Sequence, residues 1–245
     1  MTLVVLAGLV AGCTGERPSL ADETSTTAAP TTTTTEPGPV GAEVAEAKGT
    51  SVQVFATEDA DTPDREIESG VDTSTDEIPI VFLVLGREQD ADRIEVYLPV
   101  EPSGSTGWID SDDVTLTAVP YRIEVGISEH QLQVFRDDEV ILDEPVGFGC
   151  GDRVAPGTVF FLKELLETRN PDGAYGTYAY GLSGSASLRE SFEEGTGVTG
   201  IHGTNAPDTV GTDVSSGCFR LDNAVIERMV EEIGLPLGTP VGVLE

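Results

Sequence analysis

Two short motifs contain residues that could perform covalent chemistry. One is Ser-Ser-Gly-Cys-Phe-Arg-Leu at residues 215–221, which contains Cys218, and the other is Ile-His-Gly-Thr-Asn at residues 201–205, which contains His202. A thiol in a glycine-containing turn is exposed to solvent, and the backbone N–H groups beside it stabilise the thiolate form. A histidine at the end of a strand can accept the thiol proton, and this activates a cysteine nucleophile. The pair predicts covalent catalysis with Cys218 as nucleophile and His202 as general base.

Backbone amides beside the thiol are candidate oxyanion donors. The N–H groups of Gly217 and Cys218 lie in a predicted turn, where no neighbouring strand accepts hydrogen bonds from them. They are therefore available to stabilise a developing negative charge. Two histidines and three cysteines are too few for a zinc-finger array or a multi-histidine site. We therefore expect no heavy-metal site of these kinds. His130, in a polar turn before a strand, is interpreted as a solvated surface residue.

Short apolar runs predict the scaffold that must position these residues. Alternation and turn signals predict strands in the second half of the chain. The predicted strands are residues 121–125, 132–136, 140–142, 159–162, 198–201 and 239–244. Asp222 can cap a helix whose apolar residues recur at helical spacing from Val225 to Ile233, with Gly234 at its end. This half is predicted to be mostly β with one late helix.

The order of these motifs resembles the L,D-transpeptidase catalytic domain, the YkuD family. The resemblance spans residues 120–245 and consists of a strand, His-Gly-Thr-Asn, a short connector and Ser-x-Gly-Cys-x-Arg-Leu. It includes residues 175–182, which are similar to the family segment that flanks the donor groove, and residues 237–241. The resemblance implies an L,D-transpeptidase-like β-sandwich.

The resemblance also implies a two-step acyl transfer on peptidoglycan stem peptides. Cys218 would attack the carbonyl of the residue at stem position three, expel the terminal D-Ala and form a thioester, which an amine of a neighbouring stem would then take up. His202 would act as base and acid in turn. Gly203 would orient the imidazole through its carbonyl, and Arg220 would hold the turn or a substrate carboxylate. The candidate substrate-binding residues are Arg220, Tyr178 and Ser216. The resemblance implies that no metal and no cofactor is required.

Two positions depart from the family pattern. Many members have a histidine before the Gly-Cys pair, where this chain has Ser216, but His202 is the imidazole assigned as base, so we expect activity to survive. The family's Thr-Pro-x-Gly loop is altered at residues 149–158, which leaves the role of that loop open. Cys150 in this loop is an extra thiol that would disable the nucleophile if it paired with Cys218. We interpret it as a partly buried bystander.

The first residues predict a lipid anchor. Residues 9–13, Leu-Val-Ala-Gly-Cys, follow a short apolar run and resemble the lipobox of bacterial lipoprotein signal peptides. This implies a signal peptide over residues 1–12 and lipidation of Cys13. The run is too short to span a bilayer as a helix, and no Lys or Arg precedes Cys13, so we expect that the true start lies upstream. The alternative is a buried N-terminal strand with an incidental cysteine.

The remaining chain divides into three predicted parts. Residues 13–47 are rich in Thr, Ala, Pro, Ser and Glu and predict a disordered linker that holds a domain away from a membrane. Residues 48–118 contain short strand-length runs, and residues 96–100 followed by Gly107-Trp108-Ile109 resemble bacterial SH3-like wall-associated domains, so we expect a small SH3-like β domain there. Residues 119–245 are the predicted catalytic domain. The anchor and the linker imply a location outside the cytoplasm, facing the cell wall.

Charge and composition limit the classes of function that are possible. Forty-four acidic residues against thirteen Lys and Arg give a formal net charge of -31, so the chain repels phosphate backbones and nucleic-acid binding is excluded. Three functions stay open: an L,D-transpeptidase that cross-links peptidoglycan or attaches an amine-bearing protein to it, an L,D-carboxypeptidase with water as acceptor, and a non-catalytic wall-binding lipoprotein. The presence of both His202 and Cys218 argues against the third. The acceptor and the oligomeric state stay open as well.

Overall fold

The strand-length runs of the sequence form two large β-sheets and one short hairpin in the computed structural model. The structure describes residues 41–71, 77–88, 90–149, 154–168, 170–185, 199–214 and 219–245. About half of these residues are in strands, and they contain one short late helix, which confirms the predicted mostly-β fold class.

Seven strands form the first sheet, in the order β3-β2-β8-β7-β6-β1-β9, and every neighbouring pair is antiparallel. Side chains alternate along β7, where Ile94 and Val96 are fully buried between half-buried neighbours. This period of two arises because successive residues of a strand face opposite sides of the sheet. The strands are β1 Ala42–Ala47, β2 Ser51–Phe55, β3 Arg65–Glu68, β6 Val81–Gly86, β7 Arg93–Tyr97, β8 Thr106–Asp110 and β9 Val114–Val119. A separate hairpin joins β4 Gly70–Val71 and β5 Glu77–Ile78, and a 3-10 turn spans Ser111–Asp113.

Nine strands form the second sheet, in the order β12-β11-β10-β18-β14-β15-β16-β17-β13. The pairs β10–β18 and β16–β17 are parallel, and the other neighbours are antiparallel. The strands are β10 Tyr121–Gly126, β11 Gln131–Arg136, β12 Glu139–Pro145, β13 Gly147–Phe148, β14 Val159–Glu167, β15 Tyr178–Leu182, β16 Gly200–His202, β17 Phe219–Arg220 and β18 Pro240–Leu244. A 3-10 turn at Pro207–Thr209 lies between β16 and β17.

The late helix begins and ends where its sequence signals predict. Helix α1, Asn223–Glu227, continues as a π-helical segment, Arg228–Ile233. The Asp222 carboxylate accepts a hydrogen bond of 3.0 Å from the backbone N–H of Ala224, which satisfies an amide that the first turn leaves free. Gly234 ends the segment with a positive φ of 67°. The helix packs its buried face, which includes Ile226 and Met229, against the core of the second sheet.

The two sheets share a buried apolar cluster. Val44 and Leu83 of the first sheet pack with Phe161 of the second, and all three are at least nine-tenths buried. The contact is close at Gly238, where an added Cβ would lie 2.4 Å from a methyl carbon of Val44. The two sheets therefore meet in a packed apolar contact.

The first strand corrects the predicted linker. The range 13–47 is wrong for residues 42–47, since β1 occupies them and pairs with both β6 and β9. Alanine and glutamate are depleted in strands, so local composition gave no strand signal, and burial between two neighbours supplies the stability instead. The boundary at residues 118 and 119, the SH3-like character of the first sheet and the predicted signal peptide stay predictions; residues 1–40 lie outside the described part of the chain. Within the described ranges, no helix is long and apolar enough to cross a membrane.

Candidate active site

The candidate general base, His202, is the last residue of β16. This strand lies between β15 and β17, where His202 is in register with Ala179 on one side and Arg220 on the other. Ile201 enters the core of the second sheet, so His202 belongs to the opposite face. Its side chain is nevertheless only 3% exposed. A short strand thus holds the imidazole between two neighbours.

The hydrogen bonding of the imidazole defines its tautomer. Nδ1 of His202 lies 2.6 Å from the carbonyl oxygen of Gly203. A carbonyl oxygen can only accept a hydrogen bond, so Nδ1 carries the proton and Nε2 carries the basic lone pair. Nε2 is buried and has no hydrogen-bond partner among the residues that the structure describes. The contact expected between Gly203 and the imidazole is present.

Burial determines the charge state of this histidine. Loss of water around the ring, together with the smaller effect of the positive charge of Arg220, lowers the pKa of His202 to about 4, although the hydrogen bond to the Gly203 carbonyl opposes the shift. His202 is therefore neutral at pH 7, with Nε2 free to accept a proton.

An aromatic ring packs against the imidazole. The ring centroids of Tyr175 and His202 lie 4.8 Å apart at an angle of 61°, which is an edge-to-face contact. Tyr175 belongs to the segment 175–182 that carries the family resemblance, but nothing in its spacing distinguishes it from the neighbouring tyrosines. Only the folded chain brings Tyr175 to His202.

Tyr178 lies in a different environment from the one expected of a substrate-binding residue. Its hydroxyl donates a hydrogen bond of 2.9 Å to Glu231, and this bond raises the pKa of Tyr178, as do partial burial and the nearby carboxylates. Because Ala179 is the register partner of His202, the adjacent Tyr178 faces the other side of the sheet. The substrate-binding role of Tyr178 stays a prediction.

A second interaction that sequence reasoning missed lies beside His202. The side-chain Oδ1 of Asn223, at the start of α1, accepts a hydrogen bond of 2.9 Å from the backbone N–H of Thr204. Asn223 also donates from Nδ2 to the carbonyl of Pro171 at 3.4 Å. The only sequence signal is that Asn223 follows the helix-capping Asp222, which does not point to the turn after His202.

The other histidine is not simply solvated. His130 lies with Nε2 at 3.0 Å from Oδ1 of Asp213, and its side chain is only partly exposed. The backbone of Asp213 in turn forms an isolated parallel β-bridge with Phe148 of β13. The pair links the turn before β11 to the segment that leads to Ser215.

The described residues show no candidate metal centre. Among the ranges given above, no group of three or more His, Cys, Asp or Glu side chains is close enough to hold a metal ion.

Comparison with known families gives the identity of this fold. The model of the L,D-transpeptidase catalytic domain, YkuD, matches residues 120–243, which is half of the chain. The chain belongs to this family. The match begins at the first strand of the second sheet and includes β16, β17 and α1, so the L,D-transpeptidase domain contains His202 and its neighbours.

Relatives of this L,D-transpeptidase domain occur in Bacillus. The YkuD proteins of Bacillus licheniformis and Bacillus subtilis are 29% and 30% identical over 125 and 123 residues. These matches cover 51% and 50% of this chain, and 66% and 65% of the two relatives. The chain thus spans slightly less than two thirds of the length of these relatives.

Solved structures include similar chains. Bdellovibrio bacteriovorus Bd1075 is 29% identical with a TM-score of 0.38, over 51% of this chain and 48% of that chain. L,D-transpeptidase 3 of Mycobacterium tuberculosis is 12% identical with a TM-score of 0.42, over 68% of this chain and 92% of that chain.

Several residues that the sequence analysis singles out lie outside the described part of the chain. They are Ser216, Gly217 and Cys218, together with Cys150 and the proposed lipidation site Cys13. The described chain resumes at Phe219, directly after Cys218 in sequence. Phe219 is in register with Ile201, which directly precedes His202.

Proposed function

We propose that this chain is a cysteine-dependent L,D-transpeptidase that forms cross-links between peptidoglycan stem peptides. The observation that carries the proposal is the state of His202, a buried neutral imidazole whose basic Nε2 has no partner among the described residues. The strand that follows Cys218 in sequence runs parallel to the strand that ends at His202. Family membership supports the same chemistry.

The first half-reaction forms a thioester. Nε2 of His202 takes the proton of the Cys218 thiol, and the sulfur attacks the carbonyl carbon of the third stem residue. The tetrahedral intermediate collapses as its bond to the terminal D-Ala nitrogen breaks, and the imidazolium returns the proton to that leaving amine. The backbone N–H groups of Gly217 and Cys218 are the proposed donors to the oxyanion.

The second half-reaction transfers the acyl group. An amine of a neighbouring stem attacks the thioester carbonyl and loses its proton to Nε2 of His202. The carbon–sulfur bond breaks, and the thiolate recovers the proton from the imidazolium. The carbonyl of Gly203 holds Nδ1 throughout, so that the same nitrogen acts as base and acid.

The low pKa of His202 fits this role. A buried imidazole with a pKa of about 4 does not stay protonated on its own at pH 7. A thiolate formed beside it would raise that pKa, because an opposite charge stabilises the imidazolium. Proton transfer is thus coupled to the appearance of the nucleophile, and the imidazolium is a strong acid when the leaving amine needs a proton.

The decisive experiment is incubation of the full chain with purified disaccharide-tetrapeptide, followed by mass analysis of the products. A cross-linked dimer supports transpeptidation. A tripeptide without dimer would assign the same acyl-enzyme chemistry to an L,D-carboxypeptidase that uses water. If no product forms, only a non-catalytic wall-binding role is left.

Covalent labelling identifies the nucleophile. A carbapenem, which the family resemblance implies as an acylating inhibitor, should add one covalent mass to the full chain. The adduct should be absent in Cys218→Ala and present in the matched control Cys150→Ala. His202→Ala should slow acylation by about 10²- to 10⁴-fold, the usual contribution of a positioned base, whereas Ser216→Ala should have a much smaller effect. An adduct on Cys150 would overturn the assignment.

We also propose that the chain is anchored to the outer face of the cell membrane by a lipid on Cys13. The small residues before Cys13 and the Thr-rich segment after it support this location. A labelled fatty acid should enter the wild-type protein and should not enter Cys13→Ala. Equal incorporation in both proteins would contradict the anchor.

A further inference from the structure

The tautomer of His202 depends on a peptide group that the sheet does not hold. The sheet fixes the peptide between His202 and Gly203, since Gly203 N–H donates to Tyr178 at 3.2 Å and His202 C=O accepts from Leu221 at 2.8 Å. Strand β16 ends at His202. The next peptide, between Gly203 and Thr204, supplies the carbonyl that binds Nδ1, and it lies beyond the strand.

Asn223 holds that peptide from its other side. Its Oδ1 accepts the Thr204 N–H at 2.9 Å. A peptide group is planar, and in the trans form its N–H and C=O point in opposite directions. A partner on the Thr204 N–H therefore directs the Gly203 C=O the other way, and there it meets Nδ1 of His202 at 2.6 Å.

The surroundings of Asn223 fit this arrangement closely. An added Cβ would lie 1.9 Å from Oδ1 at Gly176 and 2.2 Å from Oδ1 at Gly203, so both positions leave space for the amide only because they are glycine. The bond from Nδ2 to the Pro171 carbonyl fixes which end of the amide faces Thr204, because only the oxygen can accept the Thr204 N–H. The amide has one orientation that satisfies both contacts.

We propose that Asn223 is a positioning residue that sets the Nδ1–H tautomer of His202 by holding the Gly203–Thr204 peptide. The inference rests on the proposed function, because it explains how Nε2 becomes the reactive nitrogen. Without the Asn223 acceptor, the peptide can rotate and the Gly203 carbonyl leaves Nδ1. The proton can then move to Nε2, and a ring with Nε2–H cannot accept a proton from a thiol at that nitrogen.

The tautomer can be read without measuring activity. Long-range proton–nitrogen correlation spectra of the ¹⁵N-histidine-labelled full chain at pH 8 distinguish Nδ1–H from Nε2–H, and His130→Gln assigns the signals of His202. We expect Nδ1–H in the wild type and a population of Nε2–H in Asn223→Ala. Asn223→Asp, which keeps an acceptor oxygen, should retain Nδ1–H. The control Asp222→Ala removes the cap of the same helix and should also retain Nδ1–H.

The rate of acylation by a carbapenem provides a second measurement. Asn223→Ala should be acylated about 10- to 100-fold more slowly, the loss seen when outer partners of metal-bound histidines are removed, and Asn223→Asp should recover most of the rate. The inference is overturned if the wild type shows Nε2–H, if Asn223→Ala keeps Nδ1–H, or if Asp222→Ala changes the tautomer equally.

Two further outcomes complete the test. If Asn223→Ala does not fold, loss of Nδ1–H in the folded Asn223→Asp variant would still overturn the role of the acceptor. If the wild type is never acylated while the tautomers follow the expected pattern, the proposed function fails and the positioning by Asn223 stands.

Discussion

Acidification should destabilise the fold through His202. The buried imidazole has a pKa of about 4 in the folded chain, against about 6.5 when exposed. As the pH falls, the unfolded chain therefore binds a proton before the folded chain does. The stability associated with neutral His202 is fully present above about pH 6.5 and is lost progressively between about pH 6.5 and pH 4. Removal of the imidazole should remove this loss.

The size of the effect follows from the two pKa values. Their difference corresponds to about 3 kcal/mol in the free energy of unfolding once both states are protonated. Proton linkage gives a loss of about 2.5 kcal/mol by about pH 4.5 and almost none at about pH 7.5. For a fold whose total stability is about 5–15 kcal/mol, this is a measurable fraction.

Urea unfolding at the two pH values tests the argument. The many carboxylates contribute to the pH dependence of every variant, so the quantity to compare is the difference between variants. His202→Gln should lose about 2.5 kcal/mol less than the wild type on acidification. His130→Gln removes the other imidazole as a matched control and should keep the loss that His202 contributes, because His202 is intact. Equal losses in the wild type and His202→Gln would refute the assignment of a buried neutral imidazole.

The contact between the sheets yields further predictions. Phe161→Ala should lower the free energy of unfolding by about 3–5 kcal/mol, because Phe161 is 1% exposed in the shared cluster, whereas Leu165→Ala, at a residue of the same strand that is 41% exposed, should cost about 0.5 kcal/mol in urea titrations. Gly238→Ala should destabilise the chain more than Gly234→Ala: both glycines have positive φ, but only the first would place a Cβ against another side chain, and similar melting temperatures would contradict this packing. A chain that begins at Val119 should still be acylated by a carbapenem, because the candidate base lies after Val119 in the sequence. Its melting temperature should be lower than that of the full chain. If this shorter chain folds but is not acylated, the first sheet contributes to the site.

Local signals were sufficient for the elements with strong periodicity. The helix from Asn223 is framed by a capping aspartate and a terminal glycine, and both act over one turn of backbone. Strands such as Tyr121–Gly126 and Gln131–Arg136 alternate clearly enough to be found from the sequence. Strands β13 and β17, of two residues each, were not predicted, because a pattern of period two needs more residues than they contain.

Strand β1 shows the limit of local reasoning. Its residues, Ala42–Ala47, are three alanines, one valine and two glutamates without strict alternation, and they continue the composition of the segment before them. The strand forms because β6 and β9 provide hydrogen-bond partners on both edges and because Val44 packs with Phe161. These partners are far away in sequence, and no local window contains them.

The chemistry of the candidate site divides in the same way. The residue types and their order along the chain are enough to propose Cys218 as nucleophile and His202 as base, since few side chains can perform these roles. The charge state and the tautomer of His202 follow from burial, from the Gly203 carbonyl and from Asn223, which binds a backbone amide nineteen residues before it in the chain. Burial and hydrogen-bond direction are properties of neighbours in space, so they exist only once β15, β16, β17 and α1 have packed together.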